Sequence, residues 1–137
     1  MASQPQFVKE AAFPILDSLR IGVKTDSIPS YLNALAHPKI QDYLISFMQY
    51  DPRKEIKKIQ TPILIVQGTA DIQITTEGAQ SLATYNSLAQ LEIIEGMNHV
   101  LKKSTENLTE NLATYSNPNL PLHPGLLPKI LPFLDKF

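Results

Sequence analysis

Residues 61–100 constrain what this chain can fold into more than any other stretch. They read as an apolar run, a tight turn with an acid, an amphipathic segment, a second apolar run, and a tight turn with a histidine. The first run and turn are Pro62-Ile63-Leu64-Ile65-Val66-Gln67-Gly68-Thr69-Ala70-Asp71. The second are Leu91-Glu92-Ile93-Ile94-Glu95-Gly96-Met97-Asn98-His99-Val100. Each run is short, rich in β-branched residues and bounded by glycine, so each is expected to be a buried parallel strand. Thr75-Thr76-Glu77 opens a helix between them, with Ala79, Leu82 and Ala83 on its inner face and Asn86 near its end. Strand, helix and strand make one βαβ unit, expected to be right-handed. The fold class is therefore α/β. Open α/β sheets carry their functional groups beyond the carboxyl ends of the strands, which is where Asp71 and His99 stand.

Gly68-Thr69-Ala70-Asp71 and Gly96-Met97-Asn98-His99 resemble the C-terminal part of the α/β-hydrolase superfamily. In that family the catalytic acid follows one late strand and the catalytic histidine follows the next, in the chain order Ser, acid, His. The resemblance implies that Asp71 and His99 are the acid and base of a Ser-His-Asp triad. It implies a partial α/β-hydrolase fold in which residues 1–58 are a helical cap segment and residues 59–137 the C-terminal part of the core. The bond cleaved would be an ester, thioester, amide or peptide bond. The front of that fold has no counterpart: the 137 residues contain no Gly-x-Ser-x-Gly and no oxyanion loop of the His-Gly-Gly-Gly type. The nucleophile is expected from outside this chain, and the chain alone is expected to be inactive.

Composition excludes several other classes. Lys and Arg number 12 against 13 Asp and Glu, so there is no basic footprint for nucleic acid and no polybasic patch for a membrane surface. With no cysteine, disulfides, thiolate metal sites and a cysteine nucleophile are ruled out. His37, His99 and His123 have no compact metal-ligand spacing, and no Gly-rich phosphate loop suggests a nucleotide cofactor. No apolar run approaches the roughly 20 residues of a membrane span. Met1-Ala2-Ser3-Gln4-Pro5-Gln6 lacks the basic-then-apolar order of a leader, which leaves the cytoplasm as the default location.

Residues 1–58 read as helix and turn only. Val8, Ala12, Ile15, Leu16 and Leu19 recur at helical spacing up to Gly22, with Pro14 expected to kink or split the helix. Ser27 is a candidate cap for a short helix starting near Pro29 and ending before His37-Pro38. Ile40, Tyr43, Leu44, Phe47 and Met48 form the expected buried face of the next helix. Asp51-Pro52 then restarts a short charged helix. The resemblance offers Phe7, Phe13, Tyr31, Tyr43 and Phe47 as pocket-lining residues, while aromatic stripes at helical spacing are ordinarily core. Beyond His99 a long polar, turn-rich loop is expected, closed by a final helix from Leu126 whose regularity Pro132 disturbs. Asn107-Leu108-Thr109 fits a glycosylation pattern, a frequent chance match.

In a Ser-His-acid triad the imidazole takes the serine proton, and the carboxylate fixes its tautomer and stabilises the imidazolium. Neighbouring parallel strands lie about 4.7–4.9 Å apart, so turns at the same ends of two strands bring such side chains together. Glu77 and Glu95 are weaker acid candidates. His37 and His123 read as structural. None of Ser46, Ser81, Ser87, Ser104 and Ser116 lies on a strand–turn–helix elbow. Ile63–Val66 would present an open apolar edge, a template for another chain. The expected partners are a small ester or amide substrate and either the missing N-terminal half or a second copy at that edge. The other function class left open is a non-catalytic interaction module that keeps the pair as a relic.

Overall fold

A computed structural model describes residues 5–137. The leader reading rests in part on residues 1–4, which lie outside them. The chain is mixed α/β and divides into two compact units, one ending at Asp51 and the other Pro52–Phe137.

In the first unit, α1 (Gln6–Arg20) runs unbroken through Pro14. The missing N–H costs the helix one rung, but the helix is continuous over Pro14 and the expected split does not occur. The helix stops where expected. Gly22 takes φ +83°, its N–H reaches the Leu19 carbonyl, and the Val23 N–H reaches that of Ser18, which closes the last turn. Ala12 and Leu19 are buried, on the face the periodicity marks. A 3-10 turn, Ser30–Leu32, leads into α2 (Asn33–Ala36). The position before that turn is Pro29, with no side-chain cap, so the capping role expected of Ser27 is not taken up.

A second 3-10 turn, Pro38–Ile40, is capped by His37 Nδ1, which accepts from the Lys39 N–H at 3.2 Å. It opens α3 (Gln41–Met48), which packs against α1. The face α3 buries is not the one expected. Gln41 is 1% exposed, whereas Tyr43 and Phe47 are 67% and 65% exposed. Leu44, Ile45 and Met48 are half-buried, so the buried face runs 41-44-45-48, a rotation of the predicted stripe. Phe7, Phe13 and Tyr31 are exposed as well, so none of the five aromatics is core. Phe7 meets Tyr31 edge-on, and Tyr43 stacks on Phe47. Gln41 instead fills the interior, and its amide bonds the Thr25 N–H and the Thr25 and Ala36 carbonyls at 2.7–3.0 Å.

The second unit begins with α4 (Pro52–Ile56), which sequence patterning groups with the preceding helices. Strand β1 (Ile63–Gly68), helix α5 (Thr76–Ala83) and strand β2 (Ala89–Ile94) come next. The strands pair in parallel with Ile63 opposite Ala89 and Gly68 opposite Ile94. Thr75 caps α5 through the Gly78 N–H, and α5 packs on both strands. Asn86 does not end α5. It lies beyond it, and its Nδ2 donates to the Ile56 and Ile59 carbonyls at 2.7 and 2.9 Å.

The apolar run Ile63–Val66 is half-buried rather than buried. Among the described residues the sheet has two strands, so each strand keeps one unpaired edge. Two helices lie beyond β2: α6 (Leu108–Ala113), inside the stretch expected to be loop, and α7 (Leu126–Leu134), which continues through Pro132. Leu126 and Ile130 of α7 pack with Ile94, Met97 and Val66 in the core. Lys129 Nζ and Lys136 Nζ reach Glu92 and Gln90 of β2 at 2.8 and 3.1 Å.

Candidate functional site

Strand β1 ends in Gly68, and the chain turns at once. The Asp71 N–H closes the turn on the Gly68 carbonyl, and Asp71 Oδ1 accepts from the Gln73 and Ile74 N–H groups at 2.8 and 3.0 Å. This is the local side-chain-to-backbone bonding that suits aspartate to turns. Gln67, one residue before the end of β1 and 7% exposed, points its amide at the same loop. Its Nε2 lies 3.1 Å from Asp71 Oδ2 and 3.0 Å from the Ile74 carbonyl.

Strand β2 ends in Ile94, and Gly96 at φ +69° turns the chain. Beyond Gly96 the backbone forms a small hairpin rather than an open loop. Met97 bridges Lys103 in antiparallel fashion, and the Ser104 N–H reaches the Gly96 carbonyl. The Leu101 N–H bonds the Asn98 carbonyl, and the Asn98 N–H bonds the Lys102 carbonyl. That is a three-residue hairpin loop whose last residue is left-handed, and Leu101 has φ +61°. His99 is the first residue of this loop.

The two loops are stitched together. The Ala70 N–H donates to the Met97 carbonyl at 3.0 Å, and the Gly96 N–H donates to Thr69 Oγ1 at 2.9 Å. Gly68 makes the approach possible. A Cβ at that position would lie 1.9 Å from the Met97 carbonyl oxygen, so only glycine lets that backbone pass.

In this setting His99 Nδ1 meets Asp71 Oδ2 at 2.9 Å. The Asp71 side chain is 7% exposed and that of His99 40%. Burial works against the Asp71 charge, but the Ile74 N–H, the His99 ring, the Gln73 N–H and the Gln67 amide outweigh it. Together they hold the carboxyl below the ordinary aspartate value of 3.8. Because the folded value lies below the unfolded one, this group's stabilisation is complete above about pH 3.8 and is lost as pH falls through the lowered value. An ionised carboxylate only accepts hydrogen bonds, so His99 Nδ1 must be the donor. In the neutral ring that leaves Nε2 unprotonated. Among the described residues no partner reaches Nε2. The arrangement is an anchored acid and a part-exposed imidazole held in one tautomer, with its second nitrogen unprotonated.

Asp71 and His99 thus come together as their positions in the sequence suggest. Glu77 and Glu95 are both exposed and neither is bonded to His99. His37 and His123 each accept a backbone N–H through Nδ1, from Lys39 and Gly125, and act as turn caps. Of the candidate serines, Ser46 and Ser81 lie in α3 and α5, and Ser116 Oγ donates to the Ala113 carbonyl. No grouping of three or more metal-binding side chains occurs among the described residues. No described helix is long and apolar enough to cross a membrane. Gln67 is the participant that sequence reasoning misses, since it sits in an apolar run with nothing but its polarity to mark it. Comparison with protein-family models, with curated proteins and with solved structures returned no match to this chain.

Proposed function

We propose that Asp71 and His99 are the acid–base half of a Ser-His-Asp hydrolase site, acting on an ester, thioester, amide or peptide bond. The observation that carries this reading is the 2.9 Å contact between His99 Nδ1 and Asp71 Oδ2, on a ring whose side chain is 40% exposed. In the reaction, Nε2 takes the proton of an attacking hydroxyl and returns it to the leaving group. Asp71 keeps the ring in the Nδ1–H tautomer and stabilises the imidazolium. General acid–base assistance of this kind contributes about 10²–10⁴-fold. The nucleophile comes from a polypeptide segment that is not among these 137 residues. The finer fold is the C-terminal part of the α/β-hydrolase architecture: β1 and β2 carry acid and base, and the helical first unit holds the cap segment's place in chain order.

The test uses the chain as it is. Without its serine the purified protein should show no serine-hydrolase turnover; what remains for it is a slow background release of p-nitrophenol from p-nitrophenyl acetate, in which Nε2 draws a proton from water. Both His99→Ala and Asp71→Asn should lose most of that rate, although His37 and His123 remain. Unchanged rates in both variants would favour the other reading, an interaction module in which the pair does no chemistry. A fluorophosphonate probe should leave the chain unlabelled. A His99-dependent adduct on one of its own serines would overturn the statement that the nucleophile comes from elsewhere.

A further inference from the structure

Beside the acid and the histidine lies a second set of polar side chains, all of them buried. Asn98, the residue before His99, is 1% exposed; Asn111 of α6 is 0% and Thr114 is 9% exposed. Asn98 Oδ1 accepts from the Lys102 N–H at 3.0 Å. Its Nδ2 donates to Asn111 Oδ1 at 3.2 Å and to Thr114 Oγ1 at 2.6 Å. Asn111 Nδ2 donates to the Ala70 carbonyl at 2.7 Å and to the Thr105 carbonyl at 3.0 Å. The Thr114 hydroxyl donates in turn to the Asn111 carbonyl at 2.7 Å. Ala70 immediately precedes Asp71. A continuous chain of bonds therefore runs from the Ala70 carbonyl, just before the acid, through Asn111 to the side chain of Asn98, the residue before the histidine.

The orientation of each amide is dictated by its partners. A backbone N–H fixes Asn98 Oδ1 as acceptor, and two carbonyls fix Asn111 Nδ2 as donor, so neither side chain can flip without losing bonds. Among the described residues no buried side-chain polar atom lacks a partner. A fully satisfied buried network is rigid and specifies one arrangement. An apolar residue at 98 or 111 would fill the space but leave the Ala70 and Thr105 carbonyls or the Lys102 N–H without a partner.

We infer that Asn98 and Asn111 are positioning residues for the Asp71–His99 pair: they hold the two loops at the separation at which Nδ1 meets the carboxylate. This rests on the reading of the pair given above. The residues touch neither substrate nor reacting atoms and act through the peptides next to Asp71 and His99.

The experiment is imidazole NMR on the chain labelled with ¹⁵N-histidine, with His99 identified by its loss in His99→Gln. In the unaltered protein the neutral ring should be in the Nδ1–H form, and Asp71→Asn should shift it toward the Nε2–H form that an unconstrained histidine side chain prefers. Asn98→Leu and Asn111→Leu should produce the same loss of the Nδ1–H signal while the amide spectrum of β1 and β2 stays folded. Asn86→Leu is the control. It also removes an amide that ties two backbone carbonyls, those of Ile56 and Ile59, but away from the pair, and it should lower the melting temperature with the tautomer intact. Should leucine at 98 or 111 unfold the chain, Thr114→Val removes one hydroxyl from the same network and should give a partial loss of the signal. Folded variants that keep the signal would overturn the inference, as would an equal loss in Asn86→Leu. If Asp71→Asn itself changes nothing, the reading of the pair fails, and the inference falls with it.

Discussion

Gln41 in the first unit and Asn111 in the second are both fully buried amides, yet they hold different things. Every bond of Gln41 goes to backbone, and all of them staple the Thr25 loop and the end of α2 to the start of α3. Asn111 also bonds backbone, but its oxygen passes the chain of bonds on to Asn98, and the network ends beside two ionisable groups. The surfaces do not separate the two units, since the first leaves Tyr43 and Phe47 exposed and the second Leu127 and Leu131. Buried polarity of equal depth can thus set the shape of a helical turn or the geometry of a reactive pair. What distinguishes the two cases is where the bonds lead.

The largest effect is expected at Gly68, where the two loops of the pair cross. Gly68→Ala sets a methyl group against the Met97 backbone and should cost about 3 kcal/mol, read by chemical denaturation, together with the Nδ1–H signal of His99. Retention of that signal in a stable Gly68→Ala protein would mean that the two loops do not depend on close approach. A smaller effect is expected from Gln41→Leu, which leaves two carbonyls and one N–H without their partner and should destabilise by about 1–3 kcal/mol. The His99 tautomer should not change, and a change would mean that the first unit's interior also sets the pair. The smallest effect belongs to Tyr43→Ser and Phe47→Ser. As exposed positions they should alter stability by no more than about 0.5 kcal/mol. As core positions they would cost about 3–5 kcal/mol, so a single melting experiment separates the two faces of α3.

Features whose cause lies nearby along the chain are legible in its sequence. The β-branched runs of β1 and β2, the Thr75 cap and the apolar face of α1 each depend on residues within a few positions of one another. Asp71 and His99 are legible for the same reason, since each closely follows its own strand. The inner face of α3 is not. Periodicity marks it as a helix, but the burial of Gln41 depends on Thr25, 16 residues away, and that partner rotates the helix so that Tyr43 and Phe47 face out. Asn111 is illegible because its partner carbonyl lies 41 residues upstream. Helix α6 has six residues, too few for a clear period. Its start is nevertheless written in the chain: Asn107 accepts from the Glu110 N–H at 3.1 Å, the Asn-x-x-Glu spacing of a helix cap, which overlaps the glycosylation pattern at the same residues. The hairpin that carries His99 lacks its usual marker, because its left-handed position holds leucine where glycine or asparagine is the common signal.

Glycine adopts left-handed backbone freely and leaves it just as freely. Leucine, which occupies that position as Leu101 at φ +61°, enters the region at a cost of roughly 1–2 kcal/mol and, once there, finds little neighbouring space to explore. Its N–H is tied to Asn98 and its carbonyl accepts the His123 N–H at 2.8 Å. The loop that presents His99 therefore trades stability for stiffness: a residue hard to place keeps the imidazole from wandering.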